Sequence, residues 1–172
     1  MTAGEAPVTV GFVGLGNMGG ALTANVLGAG LDLVAHDAAG PRRTPPGAVH
    51  AADVAHVARR ADVVVLSLPD GTASEAVARE IVAAPGRRTT HVVDTSTIGV
   101  SAARSVAALL AASGVAHVDA PVSGGVAGAR ARTLAVMYAG SDEACARVEP
   151  GPRRPERPPP PGWATARGSP RP

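Results

Sequence analysis

The 172 residues contain no lysine; all 16 basic residues are arginine. No side-chain amine is therefore available for Schiff-base chemistry, and no ammonium can act as a titrating acid. A GC-rich coding sequence, which avoids lysine codons, accounts for the absence. With a single cysteine, Cys145, no internal disulfide can form, which fits a reducing compartment. Aromatic residues supply 2% of the chain against 45% apolar residues, so the core must be built from Val, Leu, Ala and Ile. That composition suits strands alternating with Ala-rich helices better than an aromatic-rich β-sandwich. No run approaches the ~18 apolar residues of a membrane helix. The opening MTAGEAPV has neither the basic nor the apolar region of a signal peptide. The expectation is a soluble cytoplasmic protein with no membrane partner.

Charge is unevenly spread. The net charge is +2, but residues 1–148 carry 11 Arg against 12 acidic residues, whereas 149–172 carry five Arg against two Glu. The basic excess belongs to the tail, so no nucleic-acid partner is expected for the preceding domain.

Apolar runs rich in Val predict strands at 8–13, 31–37, 62–69, 90–96 and 115–121, with a short one at 48–50 and another at 133–140. Helical spacing predicts helices from Asn17 to a stop at Gly30, over 54–60, 72–84 and 101–114, and from about Ser141, with Asp142 and Glu143 in the favoured first turn. Strands alternating with helices imply an α/β fold of the Rossmann type, a doubly wound and mostly parallel sheet.

GLGNMG follows the first strand and opens a helix, and Asp37 ends the second strand. In that context Gly14, Gly16 and Gly19 form a dinucleotide fingerprint. Gly14 permits the tight turn, Gly16 admits a pyrophosphate close to the backbone, and Gly19 allows close packing of helix on strand. The helix N-terminus stabilises the phosphates. Asp37 would accept from the adenosine ribose hydroxyls, favouring NAD, although Arg42 and Arg43 are near enough in sequence to offset its charge against NADP. LPDG at 68–71, DTSTI at 94–98 and DAPVSGG at 119–125 lie past strand ends, where open α/β sheets bind ligands. Small and hydroxylated residues there suit a carboxylate, and equally suit ordinary turns.

In order and spacing these motifs resemble the β-hydroxyacid dehydrogenase family, the group of 3-hydroxyisobutyrate dehydrogenase, tartronate semialdehyde reductase and 6-phosphogluconate dehydrogenase relatives. The resemblance rests on GFVGLGNMGGALTAN, Leu68–Pro69, DTSTI and DAPVSGGVAGARARTLAVMYAG, and it runs from residue 8 to about 148. It implies an NAD(P)-binding domain at 8–148, with cofactor contacts from Gly14, Leu15, Gly16, Asn17, Met18, Gly19, Asp37, Leu68, Pro69 and Ser96. Ser123, Gly124 and Gly125 would hold the carboxylate of a small 3-hydroxy acid. Three departures stand out: Leu22 replaces the usual Met, Ala73 a frequent Asn, and Ala131–Arg132 precede TL where the family has Gly. In the family a lysine within GxGxxxKxxN is the general acid/base, and it opens an all-helical C-terminal domain that forms the dimer. This chain has no lysine, so no catalytic residue is assigned. The expectation is a domain truncated before that lysine and inactive alone, without dimerisation through the absent domain. The alternative is a non-catalytic NAD(P)H-binding module that docks to a partner through its tail.

Between Pro150 and Pro172, 19 of 23 residues are Pro, Arg, Gly or Ala, whose codons can consist of G and C alone. That is the output expected from GC-rich DNA read out of frame, and a frameshift is placed near 148–151. A genuine Pro/Arg-rich disordered tail is the alternative. His36, His50, His56, His91 and His117 are dispersed without metal-ligand spacing, and His36 and His117 read as structural. No metal is expected.

Overall fold

The computed structural model describes residues 8–148, and the proline-rich tail lies outside the described residues. Six strands form one parallel sheet: β1 (Val10–Val13), β2 (Leu33–His36), β3 (Val49–His50), β4 (Val63–Leu66), β5 (His91–Asp94) and β6 (Ala116–Asp119). Their spatial order is β3-β2-β1-β4-β5-β6, the doubly wound Rossmann order. The chain leaves β1 toward β2 on one side and returns to β4 on the other. The crevice between the carboxyl ends of β1 and β4 is therefore the topological switch point.

Helices α1 (Asn17–Gly28), α2 (Val54–Arg60), α3 (Gly71–Ala83) and α4 (Gly99–Ala111) make the crossovers. On one face Val64, Leu66 and Val92 pack under α2, α3 and α4 with Val57, Ile81, Val106 and Leu110. On the other face Phe12 and Leu33 pack beneath α1. There Val93 and Val118 also meet Ala144 of α6 (Asp142–Val148). Gly11 explains how α2 seats so low on β1, since a Cβ there would stand 2.5 Å from Val57 Cγ1. Side chains cap the starts of three helices: Asp53 accepts from His56 N–H at 2.6 Å, Asp70 from Ala73 N–H at 2.8 Å, and Ser141 Oγ from Ala144 N–H at 3.1 Å.

The structure departs from the sequence reading between residues 120 and 140. A short β7 (Val122–Ser123) pairs antiparallel with β8 (Ala135–Val136), and only these two residues of the expected 133–140 strand form a strand. Between them lies α5 (Gly125–Ala131), whose sequence GVAGARA has no apolar periodicity to announce it. Smallness is what places it: Gly128 and Ala129 are buried, and Asn25 Nδ2 of α1 donates to Ala129 O at 2.8 Å. Among the described residues no helix is long and apolar enough to cross a membrane.

Candidate functional site

The glycine loop turns from β1 into α1 at the switch point. Gly14 has φ +93°, and a Cβ there would run into the Ser67 carbonyl oxygen at the end of β4. Gly19 sits on the first turn of α1, and its Cβ would run into the Gly14 carbonyl. Gly16 is different. It is the N-cap of α1, no side chain caps that helix, and the nearest atom to an added Cβ is Arg43 Nη1 at 3.8 Å. Two glycines thus close the turn, while the third keeps open space over free backbone donors. A nicotinamide dinucleotide fits this arrangement, because its pyrophosphate needs such a bare, donor-rich approach.

A cleft of about 660 Å³ opens at this point. Gly14, Gly16, Asn17, Met18 and Gly19 form one wall, and Asp37, Leu68 and Pro69 stand on others. Leu15 does not line it. Its side chain is buried with Phe12, while its N–H donates to Asp37 Oδ2 at 2.6 Å. Asp37 Oδ1 accepts from Ala39 N–H at 2.8 Å, so the carboxylate clasps the glycine loop to the end of β2. Ser96 is also off the cleft wall. It is 5% exposed, and its Oγ accepts from Leu68 N–H at 2.8 Å, fixing the Leu68–Pro69 turn from behind. Ser96 N–H in turn donates to the buried Asp94 Oδ1 at 2.9 Å. Ser123, Gly124 and Gly125 are exposed past the end of β6, outside this cleft.

Several cleft residues escaped the sequence reading. Ala76, Val77 and Glu80 line it from α3, together with Ala73, which the resemblance had already singled out. Their spacing of 0, 3, 4 and 7 was the available signal, since it puts them on one helical face. His36 also lines the cleft, with Nδ1 3.0 Å from Ala51 O. Arg43 enters from the 3₁₀ turn Pro41–Arg43, its Nε 3.8 Å from Asp37 Oδ1.

Deeper in the sheet, Asp94 and Asp119 are register partners on β5 and β6. Burial pushes the Asp119 carboxyl above its ordinary range; nearby His117 opposes this and Asp94 adds to it. Burial also lowers the His117 imidazole, against the pull of Asp94 and Asp119. His117 Nε2 and Asp94 Oδ2 are buried without hydrogen-bond partners. Among the described residues no cluster of three or more His, Cys, Asp or Glu could hold a metal.

Known proteins share this arrangement. A probable 3-hydroxyisobutyrate dehydrogenase of Mycobacterium tuberculosis is 41% identical over 146 residues, covering 83% of this chain and 49% of that protein. Among solved structures, Mycobacterium tuberculosis 3-hydroxyisobutyrate dehydrogenase with L-serine matches with a TM-score of 0.79 at 38% identity, over 84% of this chain and 50% of that one. Psf3 in complex with NADP+ and 2-OPP matches with a TM-score of 0.71 at 31% identity, over 81% of this chain and 51% of that one. The chain spans about half the length of the relatives it matches. The family model for the NAD binding domain of 6-phosphogluconate dehydrogenase matches residues 9–151. A match of that extent, on this strand order and this loop, makes the chain a member of that family, the NAD-binding domain of a 3-hydroxyisobutyrate dehydrogenase-like oxidoreductase.

Proposed function

We propose that this domain serves hydride transfer between a nicotinamide dinucleotide and a small 3-hydroxy acid, with NAD favoured over NADP. The observation that carries the reading is the uncapped N-terminus of α1, kept open by Gly16 at the switch point with Asp37 across the cleft. When bound, the dinucleotide accepts or delivers the hydride. The chain's own part is positional. Backbone N–H groups from Gly16 onward hold the pyrophosphate, and Asp37 accepts from the adenosine ribose with the lone pairs that Leu15 and Ala39 leave. Leu68 and Pro69 form a rigid wall, set by Ser96. Ser123, Gly124 and Gly125 take the substrate carboxylate. L-serine, the ligand named with the mycobacterial relative, is itself a 3-hydroxy acid and supports that substrate class.

No lysine is present to act as the general acid/base that the family resemblance calls for. We infer that these 172 residues bind dinucleotide and turn over no hydroxy acid by themselves.

Calorimetric titration with NAD+ and NADP+, beside a dehydrogenase assay on 3-hydroxyisobutyrate and L-serine, tests these points. Binding of NAD+ without turnover is the expected result. Failure to bind either dinucleotide refutes the cofactor reading, and sustained turnover refutes the inferred inactivity. If Ser123→Ala leaves competition by 3-hydroxyisobutyrate unchanged in a turnover-competent longer form, the substrate assignment fails.

A further inference from the structure

Discrimination between NAD and NADP depends on the charge facing the adenosine ribose, where an acidic residue suits a hydroxyl and an arginine suits a phosphate. Both kinds of group meet in this cleft. Asp37 cannot swing aside for a phosphate without releasing Leu15 N–H and Ala39 N–H, and its side chain is only 12% exposed. Arg43 is placed to answer its charge. The guanidinium is 49% exposed, with Nε 3.8 Å from Asp37 Oδ1 and Nη1 3.8 Å from where a Gly16 Cβ would lie. At 3.8 Å the contact with Asp37 is an ion pair and not a hydrogen bond. Arg43 makes no side-chain hydrogen bond to any described residue, so its N–H donors remain uncommitted on the cleft wall. Arg42, on the same turn, neither lines the cleft nor pairs with Asp37.

Building on the dinucleotide reading above, we propose that Arg43 is the specificity-determining residue that admits NADP. Its charge offsets Asp37, and its planar N–H fork grips a 2′-phosphate that Asp37 alone would repel. The domain therefore binds both dinucleotides, NAD+ the more tightly, and the width of the preference is set at residue 43.

The test is calorimetric titration of the full 172-residue chain with NAD+ and NADP+ at two salt concentrations. The unaltered chain is expected to bind NADP+ within about tenfold of NAD+, with the steeper salt dependence for NADP+. Loss of a charge-assisted contact in Arg43→Gln should weaken NADP+ by about 10- to 100-fold and NAD+ by less than about threefold. Arg42→Gln should change neither, which controls for general loss of positive charge. Unaltered thermal melting of Arg43→Gln excludes a folding defect, and Arg43→Lys, which keeps the charge but not the fork, should fall between. Equal weakening of both dinucleotides in Arg43→Gln overturns the proposal, because it would place Arg43 on the shared pyrophosphate. Unchanged NADP+ affinity overturns it as well. An unaltered chain that binds NAD+ but not NADP+ sinks this proposal and leaves the dinucleotide reading intact; one that binds neither sinks both.

Discussion

Gly14, Gly16 and Gly19 have separate roles in the fingerprint, and the structure gives each alanine substitution a different outcome. Gly14→Ala places a side chain at φ +93°, where an L-residue costs about 1–2 kcal/mol. It also drives a methyl into Ser67 O. Ser67 cannot retreat cheaply, because its N–H donates to Val13 O at 3.0 Å in the β1–β4 pairing, so a further ~1–3 kcal/mol of overpacking applies. Gly19→Ala has ordinary helical backbone and gains about 1 kcal/mol of helix propensity. Overlap with Gly14 O outweighs that gain, because the carbonyl belongs to the same tight turn, and the net loss is about 1–2 kcal/mol. Gly16→Ala meets nothing closer than 3.8 Å. Ala is a poorer N-cap by a few tenths of a kcal/mol, and the stiffer unfolded chain returns about 0.4–1 kcal/mol, so stability changes by less than ~0.5 kcal/mol. At roughly 2–4 °C per kcal/mol, melting should fall by about 4–20 °C for Gly14→Ala and move by under ~2 °C for Gly16→Ala. Binding should rank the other way round for the folded variants. The new methyl at Gly16 occupies the phosphate approach, and loss of one charge-assisted backbone contact weakens NAD+ by about 10- to 100-fold. Ligand-free thermal melts and calorimetry with NAD+ read the two effects separately. A Gly16→Ala chain that melts as early as Gly14→Ala, or that binds NAD+ like the unaltered chain, would refute this division of labour.

Three further outcomes follow from particular contacts. Arg132 ends α5 at φ +58°, so Arg132→Gly should relieve about 1–2 kcal/mol of strain and give up the 3.3 Å bond to Asn25, raising the unfolding free energy by a net ~0.5 kcal/mol and the urea midpoint with it; a lower midpoint contradicts this. Ser96→Ala should cost about 1–3 kcal/mol by leaving Leu68 N–H without its acceptor, seen as a lower melting temperature, and an unchanged melt would show that water replaces the hydroxyl. Burial lowers the His117 pKa from 6.5, so the unfolded chain binds the proton first as pH falls. Stability should be full above pH 6.5 and decline as pH drops below it; His117→Asn should flatten part of that slope, with His91, lowered in the same direction by burial, supplying the remainder. An unchanged slope in His117→Asn rules out the histidine as its source.

Much of the scaffold was legible because its signals are local and redundant. β4 is a run of apolar residues long enough to be covered on both faces, and Asp142 and Glu143 mark the first turn of α6. The dinucleotide turn was legible for the same reason: Gly14 and Gly19 each answer a clash with an atom close in the fold, and Gly16 keeps open the space between them. Legibility fails where the determinant is tertiary. α5 has almost no periodicity, and its position depends on Asn25, more than a hundred residues earlier, reaching Ala129 O. Ser96 is at the expected strand end, yet its hydroxyl is used inside the protein, because the loops after β4 and β5 lie side by side and Leu68 N–H needs an acceptor. Arg43 belongs to a turn whose Gly and Pro content predicts only a loop; nothing in that composition says which of two adjacent arginines folds back over Gly16.

Asp37 shows why sequence position alone understates a functional residue. Read as a fingerprint, it is a ribose ligand whose replacement should convert specificity. In the fold it is also the clasp between β1's loop and β2's end, holding Leu15 N–H and Ala39 N–H. Removing its carboxylate would therefore release the glycine loop from β2 while removing the proposed ribose acceptor, and an effect on NAD+ could not be ascribed to recognition alone. Arg43 carries no comparable structural duty, because it is half-exposed and its one ion pair is long. Cofactor preference in this cleft is consequently more adjustable at residue 43 than at residue 37. A change there alters the charge facing the proposed ribose site and leaves the glycine turn intact.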